Sequence, residues 1–244
     1  MEELINNWVD EILVEESKIE SDRHVRIPGT FYASELPYCL RRNFLSMKSP
    51  KEPSSSLLRI FKMGSLMHDW LSKVINKASS KPSRPDMVLV KEEFPLLLFD
   101  RQTNTTISGR IDSFIIDQGM KYPYEFKSCA GFGQLPKPHH VLQIMPYIQG
   151  TKAKAGYLIY MKKNDLELRV CRVDFSQSIM DEIWKRAETL QSALDANELP
   201  EPEALLTKER KWECDYCPFR NECELSQQES EGSEDESDLP KDRD

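Results

Sequence analysis

Three charged residues in the middle of the chain lie in segments that otherwise have the composition of buried strands. They are Asp112 in the run TTISGRIDSFIID and Glu125 and Lys127 in the run KYPYEFKS. Side chains two residues apart in a strand point to the same face, so Glu125 and Lys127 share a face and Phe126 points to the other. Because a short turn-forming segment joins the two runs, a hairpin can bring Asp112 level with Glu125.

Two carboxylates this close raise each other's pKa unless a cation lies between them. Mg²⁺ and Mn²⁺ take oxygen ligands and keep bound water that can act as a nucleophile. Lys127 beside such an ion can orient or help deprotonate that water, or stabilise charge on a phosphate. These are the parts of a phosphodiesterase. The short D…ExK pattern is also common, and the same residues fit a surface ion pair with an unrelated Asp112.

Three further residues follow the same order along the chain. His68 lies in GSLMHDW on a predicted helix, and Gln143 and Tyr147 in QIMPY are four residues apart on a later one. Residues at this spacing share a helix face. A single helical histidine is ordinarily packed or solvated, but the order GxxxH, D, ExK, QxxxY is much more specific than any of its parts.

The elements that must position these residues can be predicted from apolar spacing. Helices are expected over 3–19, 55–78 and 176–197 and around HHVLQIMPYIQGTKA, with KPSRP ending the second and Ser34 a plausible N-cap for a helix through FYASELPYCLRRNFL. The runs MVLVKEEFPLLLF, TTISGRIDSFIID and KYPYEFKS predict a three-stranded antiparallel meander, and AGYLIYMKK and LELRVCRVDF predict two later strands. This order predicts an α/β core in which helices cover a mixed sheet.

Four of the six cysteines have spacing typical of a metal site. Cys214, Cys217 and Cys223 form a C-x2-C-x5-C run, which leaves a tetrahedral site one ligand short, and Cys39 in PYCLRRNF is the best candidate for the fourth. Such a site would join two distant segments and close a long loop. Zn²⁺ and an iron–sulfur cluster both accept four thiolates, so spacing alone leaves both open.

Length and composition favour a globular protein: the 244 residues contain 39% hydrophobic residues, enough for a core. No apolar run approaches the roughly 20 residues of a membrane helix, and the acidic start lacks the pattern of a signal peptide, which predicts a cytoplasmic location. Residues 224–244 contain nine acidic and two basic residues, which predicts a disordered tail. The rest of the chain is nearly neutral, so the net charge of −8 does not exclude nucleic acid.

Basic residues near the cysteines are candidate DNA contacts, namely Arg41, Arg42, Lys208, Arg210, Lys211 and Arg220. Trp212, Tyr216 and Phe219 could stack on unpaired bases, although packing around the cysteines is favoured for each of them. His139 and His140 begin the later helix, where they could approach phosphate, although a solvated helix start is favoured.

Taken together, residues 31–223 resemble the RecB-type branch of the PD-(D/E)xK nucleases, through the motifs that contain His68, Asp112, Glu125, Lys127, Gln143 and Tyr147. The resemblance implies a restriction-endonuclease-like core with Mn²⁺ or Mg²⁺ bound by His68, Asp112, Glu125 and the main-chain carbonyl of Phe126. It implies that Lys127 is the catalytic lysine and that Gln143 and Tyr147 position it and the DNA strand. An imidazole ligand would favour Mn²⁺ over Mg²⁺.

The cysteines resemble the staple that holds a [4Fe-4S] cluster in the same family, which implies that Cys39, Cys214, Cys217 and Cys223 bind one and join the N- and C-terminal segments. Single-domain members with four cysteines are similar to the Cas family-four exonucleases of CRISPR adaptation. That likeness implies a 5′→3′ exonuclease of single-stranded DNA ends that trims spacer precursors beside integrase subunits. A recombination, repair or viral replication nuclease of the same family, and a non-catalytic DNA-binding or scaffold protein, are the alternatives. Residues 1–30 would be a helical extension.

Overall fold

The structure is a computed structural model that describes residues 1–23, 26–79, 87–117 and 119–224. Its helices are α1 (Glu2–Arg23), α2 (Leu40–Lys48), α3 (Ser55–Ser79), α4 (Pro138–Gly150), α5 (Gln177–Ala196), α6 (Glu203–Leu206) and α7 (Trp212–Asp215), with a 3-10 turn at Lys208–Arg210. Its strands are β1 (Thr30–Tyr32), β2 (Met87–Asp100), β3 (Thr105–Asp117), β4 (Met120–Cys129), β5 (Ala155–Lys162) and β6 (Leu168–Asp174). In these ranges no helix is both long and apolar enough to cross a membrane.

The chain divides into two compact units. Residues 1–37 and 53–192 form the first unit, and residues 38–52 with those from 193 on form the second. The predicted boundaries at residues 30 and 223 stay predictions. The predicted helix-ending segment KPSRP lies outside the described residues, as does the predicted tail beyond Glu224.

A six-stranded mixed sheet forms the centre of the first unit. The predicted meander is confirmed: β2 pairs antiparallel with β3, and β3 pairs antiparallel with β4. Strand β4 then pairs in parallel with β5, and β5 pairs antiparallel with β6. Strand β1, which runs parallel to the start of β3, was not predicted, since three residues are too few to show a strand period. The predicted mixed sheet flanked by helices is therefore present.

One core of the first unit lies between α3 and the sheet, where Met67 and Leu71 pack with Ile115, Tyr124, Ile159 and Met161. Helix α4 contributes Ile144, Met145 and Ile148, which are fully buried. These contacts fix α3 and α4, the helices that carry the predicted histidine and the predicted glutamine–tyrosine pair.

In the second unit, α2 begins later than the sequence predicts. The prediction of Ser34 as the N-cap is wrong, because Ala33 N still donates to Ser108 O at 2.8 Å and so continues the pairing of β1 with β3. The N-cap is Cys39, whose side chain makes no capping hydrogen bond.

Candidate active site and four-cysteine site

Strands β3 and β4 separate at the predicted carboxylate pair. Their pairing reaches Ser113 and Tyr124, and from Tyr124 onward β4 pairs with β5. One further step of the register would set Asp112 opposite Glu125. Instead of a ladder bond at this point, the carboxylate of Asp112 accepts a hydrogen bond from the main-chain N–H of Phe126, with an N···O distance of 2.8 Å. The acid thus holds the two strands together where the sheet opens.

This opening is a cavity of about 330 Å³. Its lining includes five of the predicted site residues, His68, Asp112, Glu125, Phe126 and Lys127. Gly64, Ser65 and Ser128 also line it, and nothing in their type or spacing singled out the two serines. The structure therefore gathers residues from α3, β3 and β4 around one space.

Gln143 holds Lys127 and Glu125 together. The ammonium of Lys127 donates to Gln143 Oε1 at 2.7 Å, and Gln143 Nε2 donates to Glu125 Oε1 at 2.6 Å. Lys127 Nζ lies 2.8 Å from the same Glu125 oxygen. Because Gln143 is buried and each end of its amide has a partner, it fixes the direction in which both charged groups point.

Tyr147 lies behind Gln143 and is only 2% exposed. Its hydroxyl and the Gln143 side chain are hydrogen-bonded, and burial, followed by the charge of Glu125, raises the pKa of Tyr147 well above its ordinary value. The hydroxyl is therefore neutral at any pH at which the protein would work. This position favours a role in holding Gln143 over contact with a DNA strand.

Gly109 in β3 makes room for Tyr147. A Cβ atom on Gly109 would lie 2.6 Å from Tyr147 Cε1, which is shorter than any normal contact. Sequence reasoning included this glycine only as part of GRID. A glycine inside a strand often marks the close approach of another group, so Gly109 could have been predicted to contact a side chain of a neighbouring element.

His68 lies on the other side of the carboxylates. Its Nε2 is 3.6 Å from Asp112 Oδ2, and its ring packs edge-on against Phe126 with centroids 5.1 Å apart. Within the described residues, two buried polar atoms of this site lack a hydrogen-bond partner, His68 Nε2 and Glu125 Oε2. Buried polar atoms without a hydrogen-bond partner are rare in folded proteins, and an ion bound at the site can account for these two.

Burial raises the pKa of Glu125 to about 7, and the charge of Asp112 adds to this effect, whereas Lys127 opposes it. A group with this pKa gains a proton near neutral pH, so the carboxylate form is costly without a further cation.

In the described ranges, no three His, Cys, Asp or Glu side chains lie close enough together to form a preorganised metal site. By donor type the cavity nevertheless fits a divalent cation, since two carboxylates and an imidazole line it and two of their atoms lack partners. The role of the Phe126 carbonyl as a ligand stays a prediction.

The four-cysteine site lies in the second unit. Cys39, Cys214, Cys217 and Cys223 line one cavity together with Arg41 and Arg42. Cys39 and Cys214 are buried and pack with Ala204. The structure thus brings Cys39 to the C-terminal run, and the role of the four thiols as ligands stays a prediction.

Burial raises the pKa of the Cys214 and Cys217 thiols, and for Cys214 the neighbouring thiols add to the effect. The Cys223 pKa is also raised by burial, although Arg41, whose Nη1 lies 3.9 Å from the Cys223 sulfur, opposes the rise. The thiolate forms are therefore disfavoured here without a metal. Four cysteines around one cavity fit a cationic metal group, which would stabilise them as thiolates.

Several candidate DNA contacts have other partners in the structure. Arg210 is bonded to the carboxylates of Glu203 and Glu213, and Phe219 is 3% exposed, so neither is placed to meet DNA. Trp212 and Tyr216 are 40% and 61% exposed, and the Trp212 ring packs edge-on against Tyr38 with ring centroids 6.3 Å apart.

The prediction of a solvated His140 is wrong. His140 is buried, and its Nδ1 lies 3.0 Å from the hydroxyl of Tyr160, which accepts a hydrogen bond from Lys137 N. Burial lowers the pKa of His140 to about 2, so the ring is neutral. The residue anchors the start of α4, less than one helical turn before Gln143.

No protein-family model and no curated protein matches this chain. Among solved structures, the crystal structure of SSO0001 aligns over 88% of this chain and 94% of its own, with a TM-score of 0.62 and 21% identity. Weaker likeness is found to the alkaline exonuclease LHK-Exo from Laribacter hongkongensis, with a TM-score of 0.37, 15% identity, and coverage of 76% of this chain and 95% of that one. Its complex with dAMP gives a TM-score of 0.36, 14% identity, and coverage of 74% and 97%.

The likeness to SSO0001 extends over most of both chains and shows a shared fold. The mixed sheet flanked by helices is the architecture that the sequence predicted.

Proposed function

We propose that this chain is a metal-dependent deoxyribonuclease that hydrolyses phosphodiester bonds at single-stranded DNA ends. The observation that carries the proposal is one cavity, at the point where the sheet opens, whose lining includes His68, Asp112, Glu125 and Lys127. Gln143 is hydrogen-bonded to both Lys127 and Glu125 and holds the two together. The order of these residues along the chain, which resembles the RecB-type nucleases, supports DNA as the substrate. The 5′→3′ polarity and the trimming of spacer precursors with CRISPR integrase subunits are proposed on that resemblance alone, and the cytoplasmic location is proposed on the composition of the sequence.

Asp112, Glu125, His68 and the carbonyl oxygen of Phe126 would hold Mn²⁺ or Mg²⁺, which when bound supplies Lewis-acid chemistry and an acidified water. The chain itself supplies orientation. Gln143 keeps the Lys127 ammonium at the cavity wall, where it can stabilise negative charge on a phosphate during attack by water. Asp112, by accepting from Phe126 N, ties the main chain of β4 to the same place.

We further propose that Cys39, Cys214, Cys217 and Cys223 hold a [4Fe-4S] cluster. Four thiols lining one cavity support a metal site, and the choice of a cluster over Zn²⁺ rests on the family resemblance. The cluster would join residues 38–52 to the segment that begins at 193, which together form the second unit.

Cleavage of single-stranded DNA labelled at one end tests the nuclease assignment. With Mn²⁺, we expect degradation by the wild type, a loss of about 100-fold or more in Lys127→Ala, and normal activity in Lys163→Ala, which removes an exposed lysine of the same unit. Early release of a 5′ label would support the polarity. An absence of cleavage, or full cleavage by Lys127→Ala, would favour the scaffold alternative.

The cluster has a separate test in the metal content and absorption of protein purified without oxygen. We expect brown protein with iron and sulfide in the wild type and neither in Cys39→Ala. Colourless wild-type protein that contains zinc would refute the cluster and leave the nuclease proposal standing.

A further inference from the structure

The start of α2, where Cys39 lies, is held by two carboxylates from the far end of the chain. Cys39 N donates to Glu213 Oε2 at 2.8 Å, across 174 residues of sequence. Leu40 N donates to Glu203 Oε1 at 3.1 Å, across 163 residues. The first N–H groups of a helix have no partner within the helix, and in most helices a nearby side chain caps them. Here distant acids replace that local cap, because the Cys39 side chain does not cap.

Arg210 connects the two acids. Its Nε donates to Glu213 Oε1 at 2.7 Å, and its Nη1 donates to Glu203 Oε2. Each of the four carboxylate oxygens therefore has one of these contacts. We call Glu203, Arg210 and Glu213 the carboxylate clasp.

A clasp that lacked one of its three residues would be less stable. The Glu213 side chain is 3% exposed, and a buried carboxylate is destabilising unless both oxygens are paired. The positive N-terminal end of α2 and the guanidinium of Arg210 together offset that cost. Removal of Arg210 would take a charge-assisted hydrogen bond from each of the two acids, so the three residues act as a unit.

Glu213 directly precedes Cys214, and its carboxylate holds the main chain of Cys39. The same side chain thus fixes the N-terminal cysteine against the C-terminal run. Arg210 lies just before that run and Glu203 lies in α6, whose Ala204 packs with both buried cysteines.

We infer that the carboxylate clasp is a positioning device for the four-cysteine site: it sets Cys39 beside Cys214 before any metal binds. The inference rests on the proposed metal-binding role of the four thiols. Two thiols that are already held side by side lose less conformational freedom when they bind a metal, and groups that orient metal ligands typically contribute about 10- to 100-fold in metal affinity. Metal affinity should therefore depend on Glu213, although Glu213 is not a ligand.

The test is a titration of the full-length, metal-free, reduced protein with Co²⁺, read from the cobalt–thiolate absorption. We expect Glu213→Ala to weaken Co²⁺ binding by about 10- to 100-fold. The matched control is Glu222→Ala. Glu222 is next to Cys223 and pairs with Lys51, so it also bridges the two segments, but its partner is a side chain and not the main chain of a cysteine. We expect Glu222→Ala to bind Co²⁺ within about twofold of the wild type, as for exposed ion pairs of small energy.

Glu213→Gln separates positioning from simple folding. The amide oxygen can still accept from Cys39 N, whereas the bond to Arg210 weakens, so an affinity between wild type and Glu213→Ala is expected. Equal Co²⁺ affinity in wild type and Glu213→Ala would overturn the inference. A wild type that binds no Co²⁺ would instead overturn the proposed metal site itself.

Amide hydrogen exchange in the metal-free wild type gives a test that needs no variant. Slow exchange at Cys39 and Leu40 is expected if the clasp forms before the metal binds. Exchange as fast as in an unstructured segment would show that the clasp follows metal binding, and would overturn the inference even if Glu213→Ala fails to fold.

Discussion

The carboxylate–lysine site and the four-cysteine site are assembled over very different distances in sequence. Asp112 meets the main chain of Phe126 across 14 residues, and the register of one hairpin is enough to bring them together. Cys39 meets Glu213 across 174 residues, so its site exists only once the second unit has closed. The first site thus depends on local strand geometry and the second on chain closure.

The two sites also share one physical property. Burial raises the pKa of Glu125 in the first and of Cys214 in the second, so each site disfavours its own anionic ligands until a cation arrives. They differ in what fixes the ligands. Gln143 holds side-chain ends in the first site, whereas Glu213 holds a backbone in the second. Changes in the first site should therefore lower the rate of cleavage, and changes in the second site should lower the stability of the protein.

The largest effect is expected at the first site. Asp112→Asn and Glu125→Gln keep the shape but remove a negative charge that a metal requires, so we expect cleavage to fall by about 100- to 10,000-fold. Single-turnover rates with Mn²⁺ measure this, and the iron content of the same preparations should not change. Comparable loss of iron would show that the two sites are not built independently.

The next effect concerns chain closure. Cys39→Ser removes one thiol of the cavity, and we expect the unfolding temperature to fall by about 5 °C or more, which corresponds to a loss of roughly 2 kcal/mol in a chain of this size. Limited proteolysis should then cut first within 193–224. Cys171→Ser, in β6 of the first unit, is the control and should leave both readouts unchanged. Cuts that begin in the sheet would contradict the division of roles.

Local patterns were sufficient to predict most of the first site. The two-residue period of β4 placed Glu125 and Lys127 on one face, and the four-residue spacing placed Gln143 beside Tyr147. Cavity-lining positions such as Ser128 gave no signal, because a serine in a strand has many roles.

Features that depend on distant partners could not be predicted. Ser34 has the better chemistry for an N-cap, yet α2 starts after Cys39, where Glu203 and Glu213 satisfy its first N–H groups. His140 was predicted to be solvated, but in the structure it lies against Tyr160 of β5. In each case a residue far away in sequence overrides the local preference.

A smaller effect is expected where Tyr147 passes Gly109. Gly109→Ala forces the Tyr147 ring to move, since the added Cβ would lie 2.6 Å from it, and such overpacking costs about 1–3 kcal/mol. Displacement of Tyr147 should also disturb Gln143 and lower cleavage roughly tenfold, within the range that small misplacements produce. Gly131→Ala is the matched control, because nothing lies within 4 Å of its added Cβ. Normal activity in Gly109→Ala would separate Tyr147 from catalysis.

The smallest effect, about 1 kcal/mol for each pH unit, is a pH dependence of stability that the first site should show near neutral pH. Burial and the charge of Asp112 raise the pKa of Glu125 from its ordinary 4.5 to about 7 in the folded protein. Between these values the unfolded chain releases a proton that the folded protein keeps, so stability of the metal-free protein falls as pH rises through this window and levels off above it.

Glu125→Gln has no proton to lose, so its stability relative to the wild type should increase by about 1 kcal/mol for each pH unit within the window. Urea unfolding in the presence of a chelator at several pH values from 5 to 8 measures the difference and cancels all groups common to both proteins. Addition of Mn²⁺ at pH 8 should stabilise the wild type and not the variant, because only the carboxylate gains a cation. A stability difference between the two proteins that stays constant with pH would mean that Glu125 ionises normally. Burial would then not keep the Glu125 carboxyl group protonated in the metal-free protein.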